Sequence, residues 1–300
     1  MVDVAILILN WNNTALTLRC VDSVLEALKG ASVVSSMSRV LVIDNGSERS
    51  SRDKLVNAIA SYEPSIVSLV LNEENVGYGS GMNLGLAAVA EDVDYVWLLN
   101  NDVVVDVNSV SALIEYSENN QSVKIVGATM KDINTSKVYA HGGFKYHPLF
   151  AFSQPARARQ RWRATSQFDY VDGAAIWLQG GFLRRIGGLS EHRFLYFEEL
   201  ELARRLEASE EQGWCASAVV FHQRGATRER FGTSTPLEKY WAYRGAFSYT
   251  RMHYPLALPT VVLSRFLQCI SLALIRRRAG HLAAFCRAIG EEMFNGSVRD

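Results

Sequence analysis

Apolar residues fall into short continuous runs in the first half of the chain, separated by stretches in which polar and apolar positions are mixed. The apolar runs occupy residues 4–9, 40–43, 66–71, 95–99 and 123–130. Runs of this length, which only Ser68, Lys124 and Thr129 interrupt, predict strands that are buried on both faces.

The stretches between these runs have the spacing of helices. Within residues 14–28, apolar residues recur at intervals of three and four, as Leu18, Val21, Val24, Leu25 and Leu28. Residues 77–90 are rich in small residues and predict a second helix. Strands that alternate with helices predict an α/β fold with βαβ units and a mostly parallel sheet.

Polar clusters follow three of the predicted strands directly, at residues 10–13, 44–47 and 100–102. In open α/β sheets, ligands bind beyond the carboxyl ends of the strands. Asn, Asp and Gly also form ordinary turns, which explains one such cluster easily but three less easily. The coincidence is the first indication of a binding site.

Two regions have a different character. Residues 132–167 lack clear periodicity, and Arg157, Arg159, Arg161 and Arg163 predict either a substrate-facing loop or a solvated basic loop. From residue 251 onward, seven Arg and no Lys stand against three acidic residues, a formal charge of +4. This segment predicts a helical basic tail that lies on an anionic membrane surface, or packs on the main domain or a second subunit.

Length, charge and the N-terminus limit the function classes. The 300 residues suit one large α/β domain with an appendage, and the formal net charge is zero, so no nucleic-acid partner is expected. The apolar run at 4–9 is preceded by Asp3 and no basic segment, which favours a strand over a signal peptide. No run is long enough for a membrane-spanning helix.

Acidic residues follow two of the strands. Asp102 comes after residues 95–99, where a carboxylate can reach a metal held by a diphosphate. Mg²⁺ and Mn²⁺ prefer carboxylate and phosphate oxygens and keep few protein ligands. Asp44 follows residues 40–43, where it can accept hydrogen bonds from a pyrimidine N–H or a ribose. Turn or capping roles explain each residue as well.

A glycine-dense loop occupies residues 75–85. Glycines let a backbone approach a ligand closely, and a helix N-terminus favours phosphate. A dinucleotide fingerprint that uses Gly77 and Gly79 would need a third glycine at Met82, and one that uses Gly79 and Gly81 would need it at Leu84. Both are absent, and so is the P-loop pattern, which excludes those two classes of nucleotide site.

A second carboxylate candidate lies further along the chain. Glu198 and Glu199 begin a predicted helix, where the helix dipole stabilises carboxylates, so a structural role is sufficient. Alternatively, one of them faces an acceptor hydroxyl and takes its proton as general base. His222 follows an apolar run and is either a further metal ligand or a structural histidine.

Taken in order, these segments resemble family 2 glycosyltransferases with a GT-A fold, in the branch of bacterial rhamnosyltransferases and galactofuranosyltransferases. The resemblance covers roughly residues 4–249. No single segment is specific, but their joint order is. The matching segments are residues 8–12, 42–47, 75–85, 97–102, 171–175, 186–189, 197–202, 222 and 243–245.

The resemblance implies roles for individual residues. Asp102, with His222, matches the metal site, and Glu199 matches the general base. Gly173 and Ala174 match the acceptor side. The nucleotide-sugar contacts that the resemblance implies are Asn10, Asn12, Asp44, Asn45, Gly77, Gly79, Asn83 and Asn101.

This chain departs from the family pattern at three places. The metal motif has a single acid, Asp102. The position of the general base holds Glu199, where the family commonly has Asp. The extra methylene of Glu shifts the carboxylate by about 1.5 Å, so Glu198 is an alternative general base. Gly245 replaces the Asn of an Arg-Asn pair.

The fold implied is a Rossmann-like, mostly parallel sheet flanked by helices, with a C-terminal helical tail. Residues 1–250 form the GT-A domain, with a nucleotide-binding half at about 1–130 and an acceptor half at about 131–250, and residues 251–300 form the tail. We expect a cytoplasmic protein, or one peripheral to the cytoplasmic face of the inner membrane.

The function implied is an inverting transfer, with Mg²⁺ or Mn²⁺, from a nucleotide-diphosphate sugar to a glycan or lipid-linked saccharide in bacterial cell-surface polysaccharide synthesis. The favoured donor is dTDP-rhamnose, and a UDP-sugar is next. A non-catalytic sugar-nucleotide or glycan-binding protein with a degenerate GT-A fold is the alternative. A nucleotidyltransferase ranks lower, because residues 1–30 carry only Arg19 and Lys29 as basic residues.

Overall fold

The computed structural model describes residues 1–35, 38–89, 93–156, 168–223, 235–275 and 280–294. The strands are β1 Val4–Asn10, β2 Arg39–Asn45, β3 Val67–Asn72, β4 Tyr95–Asn100, β5 Val103–Val105, β6 Val123–Asp132, β7 Val138–His141, β8 Gly143–His147, β9 Phe152–Pro155, β10 Tyr170–Val171, β11 Ala175–Gln179 and β12 Glu211–His222. The helices are α1 Thr14–Gly30, α2 Arg49–Ile59, α3 Tyr78–Ala88, α4 Ser109–Asn119, α5 Gly180–Ile186, α6 Glu198–Arg204, α7 Pro236–His253, α8 Leu258–Ile275 and α9 Gly280–Phe294. The five strands and two helices predicted from periodicity are confirmed within a few residues at each end.

The sheet has a parallel half and a largely antiparallel half. Its order is β10-β8-β7-β6-β11-β4-β1-β2-β3, and β12 pairs with both β5 and β6. The ladders among β1, β2, β3 and β4 are parallel, as is that between β6 and β12. β11 lies between β4 and β6 and is antiparallel to both. The α/β class with a mostly parallel sheet is confirmed.

β1, β2 and β4 are buried on both faces, as their unbroken apolar runs predict, whereas β3 at the edge of the sheet is only partly buried. Alternate residues of β1 belong to two separate apolar clusters, with Ile6 in one and Leu7 in the other. The first cluster includes Val21 of α1, and the second includes Met82 of α3. Because helices cover both faces, the polar residues of these strands collect at the strand ends, which is where a ligand can reach them.

The stretch at 132–167 is less irregular than its sequence indicates. It contains β7, β8 and β9, which are only four or five residues long and carry few buried apolar side chains. Strands this short leave too little alternation for a period to be visible in the sequence. Arg157, Arg159, Arg161 and Arg163 lie outside the described residues.

The chain divides into two compact units. The first comprises Met1–Lys145, Pro155–Ser190 and Glu199–Arg224, and the second comprises Tyr146–Gln154, Glu191–Glu198 and Gly225–Asp300. The predicted boundary between positions 250 and 251 falls inside α7, so it is not a break in the backbone structure. Whether residues 1–250 and 251–300 act as separate functional domains stays a prediction.

Three helices dominate the described part of the second unit. α7 begins with a capping box, in which Thr235 and Glu238 each accept a hydrogen bond from the other's backbone N–H. Tyr243, Phe247 and Phe285 form part of a buried apolar cluster that joins α7, α8 and α9. The predicted helical tail is therefore present. None of the helices in the described ranges is long and apolar enough to cross a membrane.

Candidate active site

Asn10, the last residue of β1, connects the polar clusters at three strand ends. Its side-chain N–H donates to Asp44 Oδ1 at 2.7 Å, at the end of β2. Its Oδ1 accepts from Thr17 Oγ1 at 2.7 Å and from Asn101 Nδ2 at 3.3 Å, just beyond β4. The three clusters noticed in the sequence therefore form one hydrogen-bonded layer at the carboxyl edge of the parallel strands.

Asp44 is fully buried in this layer and is supplied with donors. Besides Asn10, it accepts hydrogen bonds from the hydroxyl and the backbone N–H of Ser47. Arg52 of α2 pairs with it at 3.2 Å between Nε and Oδ2. Charge-assisted hydrogen bonds of this kind hold the carboxyl group in one orientation. Its predicted contact with a nucleobase stays a prediction.

Asn12 and Asn45 hold the loops around this layer. Asn12 has φ of 55° and accepts a hydrogen bond from the N–H of Glu48 at 2.7 Å. Asn45 donates to the carbonyl of Gly77 at 2.9 Å and to Asn75 Oδ1 at 3.0 Å. Both side chains thus fix the backbone segments that the sequence predicts to be near a nucleotide.

The glycine loop leads into α3, and its glycines have different roles. Gly77 precedes the helix with φ of 90°, a conformation that favours glycine, and Gly79 is buried in the first turn. Gly81 and Gly85 have another purpose, because a Cβ on Gly85 would lie 2.7 Å from Ile43 Cδ1 and one on Gly81 2.9 Å from Asn45 Nδ2. Two of the glycines therefore allow α3 to pack directly on the sheet.

The Asn83 side chain is engaged with backbone. Its amide donates to the carbonyl of Leu189 at 3.0 Å and accepts from the N–H of Leu189 at 2.8 Å. This pair of bonds ties α3 to the turn after α5. A location of Asn83 near the nucleotide stays a prediction, and the contact that the described structure gives it is with the protein itself.

Asp102 and His222 are 120 residues apart in the chain and lie together in the fold. β5 follows Asp102 and pairs antiparallel with the end of β12, where His222 lies opposite Val103. The distance from Asp102 Oδ1 to His222 Nε2 is 3.2 Å. Tyr139 of β7 lies 2.8 Å from the other ring nitrogen, Nδ1, and fixes the orientation of the imidazole.

These two side chains fit a divalent cation of the Mg²⁺ or Mn²⁺ type. Asp102 Oδ1 is buried and makes no hydrogen bond within the described residues, although it faces His222 Nε2. If Nδ1 of His222 donates its proton to Tyr139, Nε2 presents a lone pair on the side of Asp102, as a metal ligand must. No group of three or more His, Cys, Asp or Glu in the described ranges could hold a metal. Mg²⁺ and Mn²⁺ sites commonly need only one or two carboxylates, because water and phosphate supply the rest.

Glu199 packs directly on Gly173. A Cβ built on Gly173 would lie 2.0 Å from Glu199 Oε1, so only glycine leaves room for this carboxyl group. The neighbouring Ala174 accepts a hydrogen bond from the backbone N–H of Asn100 at 3.0 Å. Gly173 and Ala174 therefore lie between Glu199 and the end of β4, which is followed two residues later by Asp102.

The surroundings of Glu199 disfavour its charged form. Burial raises the pKa of Glu199 to about 7, and the negative charge of Asp172 adds to the rise, although a backbone hydrogen bond opposes it. Asp172 is itself held in place, because its Oδ1 accepts from the N–H of Ala174 at 3.0 Å. A carboxylate with a pKa near 7 can accept a proton at neutral pH and release it again.

Glu198 differs from its neighbour in exposure. Its residue is 4% exposed, whereas Glu199 is partly exposed as a residue even though its carboxyl group is buried against Gly173; both lie in the first turn of α6. Just before the helix, Tyr196 and Phe197 have φ of 74° and 75°, a left-handed conformation that non-glycine residues rarely adopt. Such conformations cost free energy and tend to occur at functional sites.

The Phe197 ring explains the glycine at position 245. A Cβ on Gly245 would lie 2.9 Å from Phe197 Cδ2, and the ring also packs on Tyr249 with centroids 5.3 Å apart. The departure from the family's Arg-Asn pair at Gly245 therefore makes room for an aromatic side chain.

The family model described as glycosyl transferase family 2 matches residues 5–182, more than half of the chain, and spans the Asn10 layer, Asp102 and Gly173. The chain belongs to glycosyl transferase family 2.

A curated relative of this family 2 chain is the O-antigen chain rhamnosyltransferase RfbN of Salmonella typhimurium, which is 23% identical over 212 residues. The match covers 70% of this chain and 64% of RfbN, so this chain spans less than two thirds of that relative's length. The resemblance to family 2 seen in the sequence is confirmed.

Solved structures show that this family 2 chain has the GT-A fold. The mannosyltransferase PcManGT from Pyrobaculum calidifontis, in complex with GDP-Man and Mn²⁺, has a TM-score of 0.57 at 15% identity, covering 98% of this chain and 88% of that one. S. aureus TarS 1–349, in complex with UDP-GlcNAc, has a TM-score of 0.57 at 12% identity, covering 96% and 81%.

Three residues of this family 2 chain that contact the candidate site were missed in the sequence. Tyr139 lies in the stretch without visible periodicity, so nothing indicated that it meets His222. Asp172 precedes the Gly173-Ala174 pair, and its proximity to Glu199 follows only from the packing of α6. Arg52 lies eight residues after Asp44, a spacing that an Asp, a turn and a following helix could have suggested.

Proposed function

We propose that this chain is an inverting, metal-dependent glycosyltransferase that uses Glu199 as general base. The observation that carries the proposal is the position of the Glu199 carboxyl group, which lies on Gly173 beside the strand end that leads to Asp102. Membership of glycosyl transferase family 2 supports the reaction class.

The proposed reaction is a direct displacement at the anomeric carbon of the donor sugar. A bond forms between the acceptor oxygen and this carbon while the bond to the leaving diphosphate breaks, so the configuration inverts. The acceptor proton goes to Glu199, whose raised pKa makes it a competent acceptor near neutral pH. Charge spreads over the ring in an oxocarbenium-like transition state.

Asp172 and Gly173 are the supports of the proposed base. Burial, reinforced by the charge of Asp172, raises the pKa of Glu199 and so favours the proton that Glu199 receives. Gly173 leaves the space that the Glu199 carboxyl group occupies. Glu198 is the less suitable of the two candidates, because its residue is almost fully buried, whereas Glu199 is partly exposed as a residue and its carboxyl group lies on Gly173.

Asp102 and His222 are the residues that would hold the divalent cation, and the fixed layer around Asn10 and Asp44 would bind the nucleoside. A cation of the Mg²⁺ or Mn²⁺ type, when bound, would neutralise charge on the leaving diphosphate. PcManGT was solved with Mn²⁺, which supports the choice of ion. Tyr139 orients His222 for this role.

The favoured donor is dTDP-rhamnose, with a UDP-sugar next, and the acceptor is a hydroxyl of a glycan or lipid-linked saccharide. The rhamnosyltransferase RfbN supports the first choice, and TarS in complex with UDP-GlcNAc supports the second. We place the reaction in the synthesis of bacterial cell-surface polysaccharide, in the cytoplasm.

The deciding experiment measures thermal shifts with a panel of nucleoside diphosphates, with and without Mn²⁺. The correct nucleotide with Mn²⁺ should raise the Tm through mass action, and Asp102→Ala should abolish the Mn²⁺-dependent part of the shift.

Donor turnover is then measured for wild type, Asp102→Ala and Glu199→Gln. Nucleotide binding without any turnover would favour the non-catalytic alternative, and turnover unaffected by both substitutions would remove the site assignment.

We also propose that the tail contacts a membrane surface, with a homodimer as the alternative outcome. Leu256, Leu263 and Leu267 are 97%, 56% and 57% exposed, which supports an apolar surface on and next to α8. Flotation with vesicles that contain anionic lipid should carry the wild type and not Leu263→Ser/Leu267→Ser. Failure to float, together with a dimer in size-exclusion chromatography that the double variant dissociates, would favour the dimer.

A further inference from the structure

The second unit contains a cavity of about 580 Å³ that the proposed reaction does not use. It is lined by residues 191–195, by the inner face of α7 and by Glu291 and Glu292 of α9. Small-molecule sites typically measure about 300–1,000 Å³ and combine aromatic surface with a few convergent polar groups. The cavity has both features.

The aromatic part of the wall is a stacked pair. The rings of Phe194 and Trp241 have centroids 4.2 Å apart with an interplanar angle of 21°. Both residues are only partly buried, so aromatic surface remains available to a ligand. Arg244 lies over the Trp241 ring, with Cζ 5.7 Å from its centroid. A flat aromatic wall of this kind suits the apolar face of a sugar ring.

The charged part of the wall includes two ion pairs, and Glu191, His192 and Arg193 line the cavity as well. Arg244 Nη1 lies 3.2 Å from Glu291 Oε2, and Arg251 Nη2 lies 2.8 Å from Glu292 Oε1. A phosphate would have to compete with Glu291 and Glu292 for these guanidinium groups. A neutral polyhydroxyl ligand can accept from the Arg and donate to the Glu of each pair without leaving a charge uncompensated.

We infer that this cavity binds a saccharide. The segment that forms one wall, residues 191–195, precedes Glu199 by four residues in the chain. If the proposed function holds, the saccharide is part of the acceptor. The binding itself does not depend on that function, because the aromatic wall and the paired charges are present without donor.

The test is saturation-transfer NMR with methyl glycosides of L-rhamnose, D-galactose, D-mannose and N-acetylglucosamine, and with inorganic pyrophosphate as competitor. Wild-type protein should give a saturation-transfer signal with at least one sugar. Trp241→Ala should weaken that signal at least tenfold, whereas Trp241→Phe should retain most of it. Phe266→Ala is the matched control, since Phe266 is a 38% exposed aromatic residue of α8 outside the cavity wall. Circular dichroism and Tm verify that each variant is folded.

No sugar signal from the folded wild type, or a signal that the folded Trp241→Ala retains, would overturn the inference. Displacement of the bound sugar by stoichiometric pyrophosphate would also overturn it, because that identifies an anion site. The donor-turnover assay is separate. Sugar binding that depends on Trp241, in a protein without turnover, would leave the cavity assignment intact and refute the proposed function. Turnover in a protein that shows no sugar binding dependent on Trp241 would refute the cavity assignment and leave the proposed function intact.

Discussion

Two carboxylates of the first unit, Asp44 and Glu199, are buried to different effect. Asp44 lies in the polar layer at the strand ends and accepts hydrogen bonds from Asn10, Ser47 and Arg52. Glu199 lies on the bare backbone of Gly173 near a second carboxylate, and burial raises its pKa to about 7. Asp44 is surrounded by side-chain and backbone donors, whereas a backbone hydrogen bond at Glu199 only partly offsets its burial.

The difference teaches what burial does to an acid. Donors satisfy the oxygens of a buried carboxyl group, so Asp44 serves as an acceptor that fixes its neighbours. Where donors are few and a like charge is near, the neutral form gains and the group exchanges protons near pH 7. The same sheet edge can therefore provide a rigid binding layer and a proton acceptor.

The largest effect expected is on transfer by Glu199→Gln. The amide cannot take the acceptor proton, so we expect a rate loss of about 10³-fold, within the range for removal of a general base. Donor turnover by purified variants measures it. Glu198→Gln is the matched control and should retain most of the activity, and the opposite result would assign the base to Glu198.

Removal of Asp44 should act on stability. Asp44→Ala leaves Arg52, Asn10 and Ser47 without their shared acceptor, and we expect the free energy of unfolding to fall by about 3 kcal/mol. Urea unfolding followed by circular dichroism tests this. Asp53→Ala, at a 65% exposed side chain, should change it by less than about 0.5 kcal/mol. Equal losses of unfolding free energy in Asp44→Ala and Asp53→Ala would show that the hydrogen bonds of Asp44 do not stabilise the fold.

A methyl group at position 173 should displace the proposed base. Gly173→Ala places a Cβ where Glu199 Oε1 now lies, and we expect a rate loss of about 10²-fold with nucleotide binding retained. Thermal shift with nucleotide and Mn²⁺ verifies that binding survives. Gly181→Ala, whose nearest neighbouring atom would be 3.9 Å away, should remain fully active. Full activity of Gly173→Ala would mean that Glu199 does not need its present position.

The pH profile gives the smallest expected effect within one pH unit of neutrality. Glu199 must be ionised to act as a base, so transfer should fall about tenfold for each pH unit below 7 and level off above it. Because the folded protein holds this proton more tightly than the unfolded chain does, stability should fall as pH rises from 4.5 to 7. In Glu199→Gln this component of the stability profile should be absent. A flat rate profile between pH 5 and 8 would contradict the shift.

The sequence predicts the polar layer well, because each of its parts follows an apolar run directly. Parallel strands bring their carboxyl ends to one edge of the sheet. The α/β class therefore predicts the proximity of Asn10, Asp44 and Asn101. The close packing of α3 on the sheet also has a sequence signal, the glycines at 81 and 85. From the sequence alone, these glycines indicate a ligand-binding loop and not the packing face of a helix.

The rest depends on contacts that no local pattern encodes. Asp102 and His222 meet because β5 pairs with β12, and a three-residue strand such as β5 is too short to predict. The environment of Glu199 depends on the packing of α6 over Gly173, which joins segments 26 residues apart in the chain. The burial that raises its pKa is a property of that packing and not of the sequence around Glu199.

Residues 191–199 combine two tasks in one short peptide, and this limits how the protein can be redesigned. Phe194 contributes to the cavity, Tyr196 and Phe197 hold left-handed backbone, and Glu199 follows two residues later. A library that randomises this peptide to change which sugars are accepted will therefore mostly yield inactive clones. Diversity is better introduced from the facing side, at Trp241, Ser248 and Met252 of α7, where selectivity can evolve while the peptide stays intact.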